Sequence, residues 1–370
     1  MRIVSLLPAA TEMICALGLG DELVGVSHEC AYPPEVRLKP AVMSAILPTG
    51  EMSQAEIDAE VTRRLRAGEP LYDVDAEGLR ALAPDLLITQ ELCEVCAASP
   101  RDLAAALAIL PDRPRVLQLT PRSLGDVLGN IAEVGEATGR RAQAAQLIAA
   151  AEARIEAVRS RAAAAAARPR VFCMEWLDPP YCSGHWVPEM VEICGGVDAL
   201  SRKGTDSVRV PWQAVLDWRP EVLIVMPCGF GMEETVRQAE ILPSLPGWRD
   251  LPAVQSGRVF AVDANAYFAC PGPRLVDGLE LLAHLIQPDL FAWQGDSQAY
   301  GLLRTKACAV CATPFLCRPA PGCWCEGVSL SRETSQALCQ DYADCLCPSC
   351  LKGAEAQSQG ADSSRASMSS

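Results

Sequence analysis

The chain has 370 residues, half of them hydrophobic, with 46 acidic against 32 basic side chains and a formal charge of −14. That length predicts two or three domains with ample core. The acidic balance excludes nucleic acid and anionic membrane surfaces as partners, because no basic patch is present to displace phosphate counterions, and no 18-residue apolar run marks a membrane-spanning helix.

At the N-terminus, Met1-Arg2 is followed at once by Ile3-Val4-Ser5-Leu6-Leu7-Pro8. This reads as a buried strand closed by proline; an export leader would carry a basic start, a longer apolar stretch and a small-residue cleavage site. The resulting expectation is a cytoplasmic protein with reduced thiols. Short apolar runs at 2–7, 23–27, 41–44, 85–89 and 115–119 read as further strands, with helical patterns such as 53–67 between them. Ser53 and Glu56 have the spacing of a capping box. A second series follows, with strands at 170–174, 221–226 and 258–262 and helices near 187–194, 233–241 and 273–286. The spacing predicts two Rossmann-like α/β lobes, 1–139 and 169–292.

Between the lobes, residues 140–168 contain no Gly or Pro and stop at Pro169. They read as one backbone helix; its 28 residues from Arg140 to Ala167 would span roughly 42 Å, longer than a crossover within one lobe requires. A cleft between the lobes follows from that spacer.

Ligands of open α/β sheets collect beyond the carboxyl ends of strands. The loops there hold Ser27-His28-Glu29-Cys30-Ala31-Tyr32, Thr89-Gln90-Glu91-Leu92-Cys93-Glu94-Val95-Cys96, Glu175-Trp176, Pro227-Cys228 and Asn265-Ala266-Tyr267-Phe268. His28 with Cys30, Cys93, Cys96 and Cys228 could ligate zinc, haem iron or another bound metal; alternatively, several of these thiols are plain buried apolar groups. Ser-His-Asp order and a Gly-rich phosphate loop after a strand are both absent, so an enzyme is not expected. His185 and His284 read as core or surface residues.

Nine of the 18 cysteines fall between Cys308 and Cys350. Cys308, Cys311, Cys317, Cys323, Cys325, Cys345, Cys347 and Cys350 have the short gaps of metal knuckles and supply eight sulfurs, enough for about two Zn2+, with Cys339 spare. A disulfide framework is the competing reading. Residues 294–301 read as a polar linker to this small cysteine-rich zinc-binding module, 307–351, and the Ser- and Ala-rich tail 353–370 reads as disordered.

The stretches Ser5-Leu6-Leu7-Pro8-Ala9-Ala10-Thr11-Glu12, Tyr32-Pro33-Pro34, Asp178-Pro179-Pro180-Tyr181, Cys194-Gly195-Gly196 and Arg209-Val210-Pro211-Trp212 together resemble the substrate-binding proteins of cobalamin (vitamin B12) and iron-siderophore ABC transporters. The likeness covers about residues 2–290. It implies two lobes on one rigid helix and a corrinoid ligand held by aromatic faces, Tyr32 and Trp212 from opposite lobes, with Trp176, Tyr267 and Phe268 beside them and His28 and Glu91 as polar contacts. The alternative ligand is a metal, haem or siderophore. In the family pattern each lobe docks on a permease through an acidic residue; Glu77 matches the first, but Gln213 stands at the second, and Ala266 and Cys270 replace a charged pair. Permease docking is therefore not expected to follow the family. The C-terminal segment resembles small modules with a Cys-Trp-Cys signature, here Cys323-Trp324-Cys325, which adds a surface for a protein partner.

Overall fold

The computed structural model describes residues 1–90, 107–108, 110, 113–318 and 323–356. The first lobe is built on a six-stranded sheet in the order β4-β3-β2-β1-β5-β6. Its strands are β1 (Ile3–Ser5), β2 (Leu23–Ser27), β3 (Ala41–Ala45), β4 (Tyr72–Val74), β5 (Leu86–Thr89) and β6 (Arg115–Gln118). All pairs are parallel except β3 with β4. β1 lies at the centre and every residue of it is buried, as expected of an unbroken apolar run covered on both faces. The capping box forms as read: Ser53 Oγ accepts from the Glu56 N–H, and the Glu56 carboxylate accepts from the Ser53 N–H.

The second lobe carries β7 (Val171–Leu177), β8 (Pro180–Cys182), β9 (Val222–Val225), β10 (Val259–Val262) and β11 (Tyr300–Leu302) in the order β11-β10-β9-β7-β8. Its three central strands are parallel, and both edges are antiparallel. The carboxyl ends of β2, β5, β9 and β10 lead into the loops named above, whereas Glu175 and Trp176 lie within β7 itself.

The connecting helix runs over Arg141–Ala162, 22 residues or about 33 Å, shorter than the run that lacks Gly and Pro. After Ala162 the turn tightens, with Ala164 N–H donating to Arg161 O and Ala165 N–H to Ala162 O. The residue before Pro169 is disfavoured in helical conformation, so the helix winds down ahead of it. Arg154 holds the helix to the second lobe through Asp277 (2.6 Å) and Glu280 (2.7 Å). Ala144, Ile155 and Val158 from this helix belong to a buried cluster that also includes Ile3 and Ile88 of the first lobe and Val171 and Ile224 of the second. A continuous core therefore joins the lobes.

Residues 294–301 are no linker. Tyr300–Leu302 form edge strand β11, paired with β10 through Phe260↔Leu302, Ala261↔Gly301 and Val262↔Tyr300. From there the chain passes directly into the hairpin β12 (Arg304–Ala307) and β13 (Pro314–Cys317) of the cysteine-rich segment. Leu303 and Leu316 are buried in the second lobe's core, and Trp248 Nε1 donates to Thr305 Oγ1 at 2.8 Å. In sequence Leu302-Leu303 and Phe315-Leu316-Cys317 are apolar runs too short to carry a periodic signal.

Candidate functional site

The loops at the strand ends meet across the lobe boundary around a cavity of about 70 Å3. Gln90 faces it from the first lobe, and Glu175, His185, Cys228 and Phe268 from the second. Burial raises the Glu175 carboxyl above its ordinary range, against the hydrogen bonds it accepts from Ser207 Oγ (2.6 Å) and the Gly184 N–H (3.2 Å). Burial lowers the pKa of His185, opposed by the nearby Asp206. The indole of Trp186 is pinned by its bond to Phe268 O at 2.9 Å.

Polar contacts hold the lobes together around this cavity. Arg274 Nε donates to Glu12 Oε1 at 3.0 Å, and the guanidinium lies 4.0 Å from the centre of the Tyr32 ring. Burial raises the Glu12 carboxyl although Arg274 works against it. On another side, Trp176 Nε1 donates to Gln54 O (3.2 Å) and the Leu177 N–H to Gln54 Oε1 (2.6 Å). Asp58 accepts from Tyr181 Oη at 2.9 Å and from Arg209 Nη2 at 2.6 Å. Arg122 reaches Asp206 at 3.4 Å.

Of the residues expected at the site, Phe268 and Cys228 line the cavity. Tyr32 is 45 % exposed on the first lobe. Trp176 stacks on Phe230, ring centres 5.6 Å apart, and Tyr267 packs edge-on against Trp293. Trp212 stacks on Trp248 and donates to Pro246 O at 2.7 Å, so it sits over the second lobe's own core. His28 has both ring nitrogens occupied: Nδ1 lies 3.1 Å from Met43 O, and Nε2 accepts from the Ala45 N–H at 3.3 Å. It bridges β2 to β3 and has no free lone pair for a metal. Cys30 is buried and accepts from Thr11 Oγ1, and burial pushes its thiol up to about 11. Glu91, Cys93 and Cys96 lie outside the described residues. Glu12, Gln54, Asp58, His185 and Arg274 were not singled out from sequence as site residues. Glu12, Gln54, Asp58 and Arg274 act through partners on the opposite lobe, which local sequence does not reveal, and only the placement of Glu12 and Asp178-Pro179-Pro180-Tyr181 among the family-like stretches pointed towards them.

Among the cysteines, Cys308, Cys311, Cys347 and Cys350 bring their sulfurs within 4.8 Å of one another. Cys311 and Cys347 are 3.7 Å apart, the edge of a tetrahedron whose metal–sulfur bonds are about 2.3 Å long. Although burial works against it, backbone N–H groups of Cys347, Cys311 and Val310 pull the Cys308 thiol down to about 6, whereas the neighbouring Cys347 and Cys311 thiols push Cys350 up to about 12. Cys317 and Cys323 are 4.0 Å apart and Cys323 and Cys325 3.1 Å, while Cys345 accepts from Lys306 Nζ at 3.2 Å. Among the described residues these four do not gather their sulfurs as the first set does. Cys339 is exposed.

The periplasmic binding protein family model matches residues 3–266, and the cysteine-rich CWC model matches 308–352. The chain is 28 % identical over 297 residues to the uncharacterized ABC transporter substrate-binding lipoprotein YvrC of Bacillus subtilis, covering 78 % of this chain and 81 % of that one. To the vitamin B12-binding protein of Vibrio cholerae it is 24 % identical over 286 residues, 75 % of this chain and 86 % of the relative. Its fold matches the apo periplasmic heme-binding protein RhuT from Roseiflexus, with a TM-score of 0.59, 26 % identity and coverage of 78 % and 98 % of the two chains. It also matches the Vibrio cholerae vitamin B12 binding protein BtuF, with a TM-score of 0.58, 23 % identity and coverage of 78 % and 96 %. The chain belongs to the periplasmic binding protein family, whose members bind solutes and are not enzymes. The expectation of a cytoplasmic protein is thereby overturned: a family of periplasmic proteins and a lipoprotein relative indicate an extracytoplasmic location.

Proposed function

We propose that this periplasmic binding protein captures a corrinoid between its lobes and delivers it to an ABC transporter. The observation that carries the reading is Tyr32, a large aromatic left 45 % exposed at the lobe boundary, in a chain whose relatives include vitamin B12-binding proteins along three quarters of its length. A corrin is a flat, largely apolar disc edged with amides. Tyr32 on one lobe and Phe268 and Trp176 on the other offer it aromatic faces. The cavity of about 70 Å3 is far below the several hundred Å3 such a ligand needs, so binding parts the lobes and breaks the contacts at Glu12, Gln54 and Asp58. For docking on a permease, Glu77 is exposed. Gln213 donates to the exposed Asp217 at 2.8 Å, which returns an acidic group to that face of the second lobe.

The Roseiflexus likeness, to a heme-binding protein, favours haem as the second reading. With His28 and Cys30 engaged elsewhere, iron would draw its ligand from another residue. In the cysteine-rich segment, the four-sulfur set Cys308, Cys311, Cys347 and Cys350 holds zinc: mutual spacing of all four sulfurs fits one shared ion better than two separate disulfides.

Incubation of the purified protein with cobalamin or haem, followed by desalting and an absorption spectrum, tests the reading. Retained cobalamin supports it, retained haem alone favours the second reading, and retention of neither refutes both. Tyr32→Ala is expected to weaken cobalamin binding by about 1–3 kcal/mol, as loss of a stacked aromatic does.

A further inference from the structure

His185 occupies a backbone conformation that side chains rarely adopt, φ +53°. Its N–H donates to Thr205 O at 2.6 Å and its carbonyl accepts from the Gly204 N–H at 2.9 Å. The preceding Gly184 runs so close to Ser207 that a Cβ there would sit 2.5 Å from the Ser207 nitrogen. The backbone geometry thus calls for glycine at 184 and would favour it at 185, yet an imidazole stands at 185. A strained non-glycine residue held this firmly points to a use for its side chain.

That side chain lines the inter-lobe cavity with Glu175, Cys228 and Phe268. Nε2 is buried, has no aligned hydrogen bond and lies 3.2 Å from Asp206 Oδ1. A carboxylate on that side favours the proton on Nε2 and leaves the lone pair on Nδ1, which no hydrogen bond occupies among the described residues. Imidazoles that ligate metals are oriented in this way, one nitrogen on the ion and the other backed by a carboxylate. The Asp206 carboxylate is in turn held by Arg122 of the first lobe at 3.4 Å, and that contact breaks when the lobes part.

We infer that His185 supplies an axial nitrogen ligand to the central metal, cobalt or iron, of a tetrapyrrole held in the cleft, with Asp206 orienting the ring. The Nδ1 lone pair takes the coordination position of a bound water, which leaves. The inference rests on the tetrapyrrole reading above and adds direct coordination to aromatic stacking. Imidazole nitrogen is an established axial donor to haem iron and suits other transition metals.

The test uses the full chain with aquacobalamin and, separately, ferric haem, because both exchange a coordinated water for imidazole with a visible absorption shift. Wild type is expected to show the imidazole-ligated spectrum. His185→Gly, which also relieves the backbone, is expected to fold, to lose that shift while retaining the chromophore more weakly, and to regain it when free imidazole is added. A wild-type spectrum unchanged in His185→Gly would overturn the assignment and leave the binding reading standing. Retention of neither chromophore by wild type would overturn the binding reading and this inference with it. The chromophore that shows the shift identifies the metal.

Discussion

Asp58→Ala is expected to open the cleft. Asp58 lies on the first lobe and binds Tyr181 and Arg209 of the second, and its side chain is only 15 % exposed. A hydrogen bond to a charged group contributes about 1.5–3 kcal/mol when buried. Arg209 is 52 % exposed, so its half of the contact is screened to about 0.5 kcal/mol, which leaves about 2 kcal/mol favouring closure for the pair. The substitution strands neither partner, because Arg209 Nε already donates to Tyr181 Oη at 2.9 Å within the second lobe. Since the closed cavity is too small for a tetrapyrrole, closure lowers apparent affinity by the fraction of molecules that are open. Removing 2 kcal/mol of closure raises that affinity by up to about 30-fold while the open form is the minority. Cobalamin titration followed by absorbance measures the gain, and small-angle scattering of the ligand-free protein measures lobe separation. Unchanged scattering with equal or weaker binding would refute the reasoning, since it would mean the clasp does not oppose the ligand.

Metal analysis of the full chain, purified under reducing conditions, is expected to find one zinc ion, and Cys308→Ser to lose it; absence of zinc, with thiols that react only after reduction, would establish disulfides instead. Truncation after residue 292 removes β11 and the burial of Leu303 and Leu316, a loss of about 3–6 kcal/mol for the two leucines, so the shortened chain is expected to melt well below the full chain; equal melting temperatures would show that the module is dispensable. Glu175→Gln keeps an acceptor for the Gly184 N–H, and its amide N–H can donate to Ser207 Oγ, reversing the bond that Ser207 donates in the wild type. Because burial raises the Glu175 carboxyl above the 4.5 of an exposed glutamate, the folded wild type holds an extra proton in that window and loses stability as pH rises through it. The variant is expected to melt higher at neutral pH, with the difference vanishing below about pH 4; a constant difference at all pH values would contradict a titration origin.

Local pattern determined much of this protein. Unbroken apolar runs marked the central strands, Leu23–Ser27 to the residue, because a strand buried on both faces needs no partner to be recognised in sequence. Ser53 and Glu56 announced a helix start by a bond confined to four residues. Short cysteine gaps marked Cys308-x2-Cys311 and Cys347-x2-Cys350, whose four sulfurs the structure brings within 4.8 Å of one another. The two-lobed class followed from the alternation of strand and helix, and the family from motifs spread along 290 residues.

Everything that depends on two distant segments meeting was settled only by the tertiary structure. The pairing of the two cysteine knuckles, 36 residues apart between Cys311 and Cys347, goes with a small buried cluster that joins Cys308, Phe315 and Cys317 to Leu346 and Cys347. His28 looked like a ligand until β3 took both its nitrogens. The edge strands β4, β8 and β11 escaped notice because three-residue, partly exposed strands carry no periodicity, and β11 exists only because β10 offers it a ladder. His185 became a site residue for the same reason: its φ and its place on the cavity wall are set by the 204–207 segment and the opposite lobe, neither of which its own neighbours in sequence encode.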